Sequence, residues 1–279
     1  MKIANIARRF AAGELHYALG RFEAVRRGYS LMRRLGHRTR PAVRPGPLPT
    51  LFPAVGVGNA VEAVRRDSVA FGFDLPAPLV AEIQRFARTV PLYDRGLPRP
   101  FRYADVTAGR LADGTPALLG LIPEPMQFAP VRRICTDPVL LEAVTRTLGY
   151  RPKKLIPRLF WSFATAMDED ERRRRGQTID WHFDVHDFNF CSACFYLSDV
   201  TEKTGAHALV RGSHRDKPLR FLVGSANVPQ EEVFAQYGAD RAMIIEGPAG
   251  TGFLEDTSCF HRAMPPLEGE RLMMQIWFS

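Results

Sequence analysis

Residues 180–197 read DWHFDVHDFNFCSACFYL, and the two halves of this stretch carry two different messages. The second half, FNFCSACFYL at 188–197, is a short apolar run rich in aromatic residues, the composition of a buried strand. The first half places His182 and Asp184 two residues apart, so on an extended chain both side chains leave by the same face. Further short apolar runs lie around it: LFWSF at 159–163, ALV at 208–210, AMII at 242–245, GFLE at 252–255 and RLMMQIWF at 271–278. Gly, Pro and Asp turns separate them, a pattern that predicts an antiparallel sandwich or jelly roll.

Before Pro157 the periodicity is helical. Leu79–Arg88 follows Pro76 and Pro78 and carries one apolar stripe. Asp137–Leu148 opens with an N-cap Asp and a Pro at the first helical position, and ends at Gly149. No internal repeat is visible. The expected fold class is therefore mainly β with flanking helices, the helices preceding an all-β second half.

A chain of 279 residues that is 46% hydrophobic can bury one large core. It has no run of about eighteen uncharged apolar residues, which excludes a spanning helix. Its first residues lack the apolar stretch and cleavage pattern of a secretory signal. Four cysteines in this length do not make a disulfide scaffold, and a cytoplasmic setting is expected.

The net charge of +8 is concentrated at one end. Residues 1–44 hold one Lys and ten Arg against two Glu, so the rest of the chain carries a net −1. Within 1–35 apolar residues recur at helical spacing among the arginines, with Gly13, Gly20 and Gly28 as weak points. A proline-rich stretch, 36–50, follows as a linker. Residues 1–50 thus read as a basic amphipathic arm and linker, and 51–279 as the functional domain. The arm has three readings: contact with an anionic membrane surface through residues 1–35, packing on the body or on a second copy in a homo-oligomer, and an address signal. Nucleic acid is not expected, because the basic residues alternate with an apolar stripe rather than with stacking aromatics.

His182 and Asp184 together offer one imidazole and one carboxylate to a single metal. An iron(II) oxygenase needs two His and one carboxylate on one face of the ion, leaving the opposite positions open. His261, at the end of a strand candidate in EDTSCFHRAMPP, is the expected second imidazole. Arg271 stands ten residues further on, at the start of the last strand. That spacing suggests a guanidinium one strand over from the metal and deeper, able to grip a carboxylate through two parallel hydrogen bonds.

In these motifs the sequence resembles the phytanoyl-CoA dioxygenase family. The likeness runs through HFDVHDFNF, CFYLSDVTEKTGAHALVRGSH, FLEDTSCFHRA and Arg271, and more loosely back to residue 60. It implies a double-stranded β-helix (jelly-roll, cupin-like) core. It also implies Fe(II) held by His182, Asp184 and His261, 2-oxoglutarate held by Arg271, and O₂ as oxidant. Two departures stand out: the family's Pro-Gly-Ser-His turn is Arg211-Gly212-Ser213-His214 here, and Ala263 replaces a hydroxyl residue near the distal His. Related halogenases replace the carboxylate by a small residue, so Asp184 implies hydroxylation of an unactivated C–H with release of succinate and CO₂, with desaturation or ring formation as the alternatives that the same oxidising chemistry leaves open. The expected substrate is a small or lipid-linked organic molecule. The rivals are a non-catalytic binding protein on the same scaffold and a cupin-type enzyme using several His and another metal.

Around the triad, His186 alternates onto the face of Asp184 and is a candidate substrate or supporting contact. Trp161 and Phe163 alternate with Phe160 and Ser162, and one of these faces lines the pocket; Trp161 and Phe163 are taken as the substrate face. The run DEDERRRRG at 168–176 reads as a solvated loop, or else as a lid whose Arg172–Arg175 meets an acidic substrate. Cys191 and Cys194 read as core thiols, because Cys135 and Cys259 are isolated and a zinc site wants paired ligands.

Overall fold

A computed structural model describes residues 14–36 and 49–279. The expected helical pattern before residue 14, and most of the proline-rich stretch, lie outside the described residues. Nine helices and nine strands follow among the described residues. The helices are α1 (Leu15–Leu19), α2 (Glu23–Gly36), α3 (Val57–Asp67), α4 (Ala77–Thr89), α5 (Ala129–Cys135), α6 (Pro138–Leu148), α7 (Glu169–Arg174), α8 (Leu219–Val223) and α9 (Gln230–Tyr237). The strands are β1 (Val69–Phe71), β2 (Leu119–Ile122), β3 (Leu155–Phe163), β4 (Cys191–Tyr196), β5 (His207–Val210), β6 (Ala242–Ile245), β7 (Gly252–Glu255), β8 (His261–Ala263) and β9 (Glu270–Phe278).

The strands form a six-stranded antiparallel sheet, ordered β1-β7-β4-β9-β3-β2, and a three-stranded one, ordered β6-β5-β8. This is the jelly-roll sandwich that the short apolar runs separated by turns predict. Strand β9 lies between β3 and β4 and pairs with β3 along its whole length, from Leu155↔Phe278 to Phe163↔Glu270. Period-two alternation then divides the large sheet into two faces. Leu159, Trp161, Phe163, Leu272, Met274, Ile276 and Phe278 point outward into a core shared with α3 to α6. Phe160, Cys194, Tyr196, Phe253 and Met273 point inward toward the small sheet, where Leu209 and Ile245 meet them.

Local chemistry fixes the helix that backs the sheet. The Asp137 carboxylate caps α6 by accepting from the Val139 and Leu140 amides at 2.9 and 3.2 Å, and Gly149 ends the helix in the left-handed region. The same carboxylate accepts from the Leu51 amide at 2.7 Å, which ties the start of the body to the helix.

The arm differs from its sequence reading in one detail. The helical pattern breaks at Gly20–Phe22, but α2 runs through Gly28 without interruption. A single Gly costs about 1 kcal/mol in a helix, less than the packing of its neighbours returns. On the inward side of α2, Tyr29 stacks on Phe188 with ring centroids 5.2 Å apart. Arg26 reaches Asp256 at 2.9 Å and the Asn189 side-chain oxygen at 2.9–3.0 Å, and also donates to the Ser258 hydroxyl. Described residues 14–36 therefore lie on the body, beside the segment that carries His182 and Asp184. No described helix is long and apolar enough to cross a membrane.

Candidate active site

His182, Asp184 and His261 meet at the open side of the sandwich. His182 and His261 exchange backbone hydrogen bonds, N–H to O distances being 3.0 and 2.8 Å, which sets their rings 4.3 Å apart. The Asp184 amide donates to the Thr257 carbonyl at 2.8 Å, so residues 182–184 run as an extended segment beside 257–261 rather than as a strand of either sheet. Two tight hydroxyl contacts hold the distal His in place. Ser213 of the Arg-Gly-Ser-His turn accepts from the Phe260 amide and donates to the Val210 carbonyl, both at 2.7 Å. Gly212 permits that turn by adopting φ +72°.

The donor atoms converge. His182 Nε2 lies 3.8 Å from Asp184 Oδ1, and His261 Nε2 lies 3.6 Å from Asp184 Oδ2. Each imidazole is oriented by its other nitrogen: His182 Nδ1 faces the Asp180 carbonyl at 2.9 Å, and His261 Nδ1 faces the Cys259 carbonyl at 3.0 Å. A carbonyl can only accept, so Nδ1 carries the proton and each Nε2 presents a lone pair inward, the tautomer a metal requires. Burial, and after it the neighbouring His261, push His182 down to about 4, so it stays neutral and available as a ligand. Burial works against the Asp184 charge, but His261, His186 and His182 outweigh it and hold the carboxyl well below the usual range. Two imidazoles presenting Nε2 and one ionised carboxylate, mutually within 4.8 Å, are a donor set that fits an iron(II) ion.

His186 is where the alternation puts it, and its contact is Asp184: Nε2 stands 2.9 Å from Oδ2, while the ring stacks on Trp277 at 4.1 Å. It adjoins the Asp184 carboxylate in the wall of the same cavity. A second buried pair, His207 and Glu255 at 2.9 Å, lies behind His261.

Arg271 shares the cavity with the triad but not by the expected route. It is not one strand over from His261, because β8 belongs to the small sheet and β9 to the large one. It reaches the site across the sandwich. The side chain is 3% exposed, donates to the Gly205 carbonyl and lies 3.3 Å from the Ser162 hydroxyl; its Nε has no partner. A buried guanidinium facing no carboxylate is costly unless an anion joins it. The cavity holds about 270 Å³, enough for a small dicarboxylate beside part of a substrate.

Two expectations need correction. Trp161 and Phe163 do not line this cavity: Trp161 donates to the Ala87 carbonyl of α4 at 3.2 Å, and both rings lie on the outer, helix-covered face. Phe160 and Ser162 are the residues that face the triad. Alternation separates the two faces but cannot say which is covered by helices. The charged run 168–176 is not a loose loop either. It is a short helix capped by Asp168, and two of its arginines are buried. Arg172 binds the Thr165 and Met167 carbonyls and Gln177 Oε1, and Arg175 pairs with Asp94 at 2.8 Å. Their charges are committed inside the protein, so the run supplies no acid-seeking lid. Cys191 and Cys194 are buried free thiols on opposite faces of β4.

Sequence reasoning missed Ser162 as a hydroxyl beside Arg271, and missed Arg95, Arg158 and Gln275 in the cavity wall. The register Ser162↔Arg271 is what finds the first, and it exists only once β3 and β9 are paired.

No family model matches the sequence, and no curated protein matches it. Solved structures do. EctD from S. alaskensis with 2-oxoglutarate and 5-hydroxyectoine is similar at 18% identity and TM-score 0.55, covering 87% of this chain and 82% of that one. EctD from S. alaskensis with bound Fe is similar at 17% identity and TM-score 0.53, covering 79% and 76%. The non-heme alpha ketoglutarate dependent epimerase SnoN from nogalamycin biosynthesis is similar at 16% identity and TM-score 0.55, covering 80% and 83%. The chain has the jelly-roll fold of these proteins.

Proposed function

We propose that this protein is an Fe(II)- and 2-oxoglutarate-dependent oxygenase that hydroxylates an unactivated C–H of a small or lipid-linked organic substrate. The observation that carries the reading is the pairing, in one cavity, of a converging two-His, one-carboxylate set with a buried arginine that faces no acid. The fold neighbours solved with Fe or with 2-oxoglutarate support it, and so does the motif likeness to the phytanoyl-CoA dioxygenase family.

In this reading His182, Asp184 and His261 hold the iron. Iron bound there with 2-oxoglutarate and O₂ supplies the oxidising chemistry, with succinate and CO₂ as by-products. Arg271 and Ser162 bind and orient the far carboxylate of the cosubstrate, at the inner end of the β3–β9 pair. The Asp180 and Cys259 carbonyls keep the two imidazoles in the ligating tautomer. His186 steadies the carboxylate of Asp184. Phe160, Leu119 and Met273 form the apolar wall that excludes water from the reacting C–H. With Asp184 filling its place on the iron, hydroxylation is the outcome expected.

The test is anaerobic titration of the iron-loaded protein with 2-oxoglutarate, read by the weak visible charge-transfer band of the chelate. The band is expected in the wild type, lost in His182→Ala and weakened in Arg271→Ala. Its absence from the wild type at saturating iron and keto acid overturns the oxygenase reading and leaves a binding protein on the same scaffold.

A further inference from the structure

The mouth of the cavity carries two more arginines, Arg95 and Arg158, that nothing in the metal or cosubstrate chemistry uses. Arg158 stands on the inner face of β3 opposite Gln275. Its guanidinium lies between two rings, 5.3 Å from the centroid of Phe160 and 5.0 Å from that of Trp277. Arg95 enters from the turn that follows β-paired Tyr93, and Gly176 makes room for it: a Cβ there would sit 2.9 Å from its Nη1. The position of Arg95 is fixed from behind, because the buried Asp94–Arg175 pair locks its turn to the segment after α7, and Arg158 is placed by the β3–β9 pairing. Neither guanidinium has a carboxylate or carbonyl partner among the described residues, unlike Arg26, Arg172, Arg173, Arg174 and Arg175.

Charge balance says what they await. If iron(II), Asp184, Arg271 and a doubly ionised 2-oxoglutarate occupy the inner cavity, their charges cancel. The charges of Arg95 and Arg158 then remain, close enough to repel: after burial, the nearby Arg95 charge lowers the proton affinity of Arg158, with Asp184 opposing it less strongly. Arg158 is partly withdrawn from water while Arg95 faces it, and an anionic group placed between them gives Arg158 a partner and relieves the repulsion. Arg158 is four residues from Ser162 along β3, about 13 Å at roughly 3.3 Å per residue. The mouth therefore forms an anion seat separate from the one Arg271 offers.

We propose that the substrate bears an anionic group, a carboxylate or a phosphate, which Arg158 and Arg95 bind at the cavity mouth while the reacting carbon reaches inward past Phe160. Arg158 clamps the anion with its fork, and Trp277 and Phe160 hold that fork in plane. This substrate class rests on the oxygenase reading, whereas the anion seat itself does not.

The experiment is calorimetric titration of the full chain, loaded with Mn(II) and saturating 2-oxoglutarate, with inorganic phosphate and in a second arm with acetate. A parallel titration measures 2-oxoglutarate itself in each variant. At least one anion is expected to bind saturably to the wild type, and the tighter arm names the substrate's group. Arg158→Gln is expected to weaken that binding at least tenfold and Arg95→Gln three- to tenfold. Arg158→Lys keeps part of it, and affinity for 2-oxoglutarate stays within twofold in all three. Saturable binding to no anion, or equal anion affinity in Arg158→Gln and wild type, overturns the proposal. Failure of 2-oxoglutarate to bind the metal-loaded wild type instead overturns the oxygenase reading, and the anion titration of the same protein still reads the seat.

Discussion

At the scale of single residues, the site consists of side chains whose partners leave one function each. His182 and His261 spend Nδ1 on carbonyls and so have only Nε2 to offer. Arg271 spends two nitrogens on Gly205 and Ser162 and keeps Nε unmatched. Ser162→Ala removes one hydrogen-bonding neighbour of that guanidinium and of whatever carboxylate it holds, worth about 1 kcal/mol. The expected result is a 2-oxoglutarate Kd raised roughly fivefold, against a far larger loss in Arg271→Ala, measured by titrating the metal-loaded protein. His186→Ala leaves the three donors in place but frees Asp184 from its 2.9 Å neighbour. Metal affinity should fall about tenfold, the usual effect of removing a group that orients a ligand, whereas His182→Ala should retain no stoichiometric iron. An unchanged metal Kd in His186→Ala would show that the contact is incidental.

Elements come next, and the instructive one is α2. Its attachment rests on Arg26, which meets Asp256, Asn189 and Ser258 in a setting where the Arg26 and Asp256 side chains are 10% and 13% exposed. Removing one partner of such a pair leaves a buried charge unmatched and costs about 3–5 kcal/mol. Arg26→Ala is therefore expected to lower the unfolding free energy by about that amount in urea titrations. The pH dependence has a definite sign. Burial is the largest influence and disfavours the Asp256 charge, but Arg26, His214 and the Ser258 hydroxyl together outweigh it and lower the carboxyl to about 2. A depressed folded-state value means the stabilisation is complete above the unfolded value of about 3.9 and is lost as the pH falls from there toward about 2. In Asp256→Asn this acid-side contribution should vanish, so the variant's stability should change less than wild type across that window.

The whole molecule works as a sandwich with one working end. The large sheet turns its outer face to helices and its inner face to the cavity, and the arm covers the edge next to the ligand segment. Deleting residues 1–36 uncovers Phe188 and strands Asp256. At about 3–5 kcal/mol and roughly 2–4 °C per kcal/mol for a chain of this size, the melting temperature should drop by about 10 °C. Calorimetry that found the truncated protein as stable as the full chain would reduce α2 to an appendage.

The sequence by itself determined several of the elements and picked out the three residues that converge in the cavity. Short apolar runs at 208–210, 242–245, 252–255 and 271–278 coincide with β5, β6, β7 and β9 to within a residue, because a strand buried on both faces, as β5 and β7 are, reads as a near-continuous apolar stretch. The Asp-Pro opening and Gly ending of α6 were equally legible, since caps are satisfied within a few residues of chain. His182 and Asp184 could be read as co-facial from spacing alone. Only the tertiary structure decided the rest. It put Arg271 across the sandwich from His261 rather than beside it, and it gave the helices to Trp161 and Phe163 and the cavity to Phe160 and Ser162. It also turned Arg172 and Arg175 inward and assembled the anion seat from Arg95 and Arg158, 63 positions apart in sequence. The physical reason is common to these cases. Alternation and capping are local and act through a few neighbouring residues, whereas which face meets a helix, and which charge finds a partner, depends on strand pairing between segments far apart in the chain.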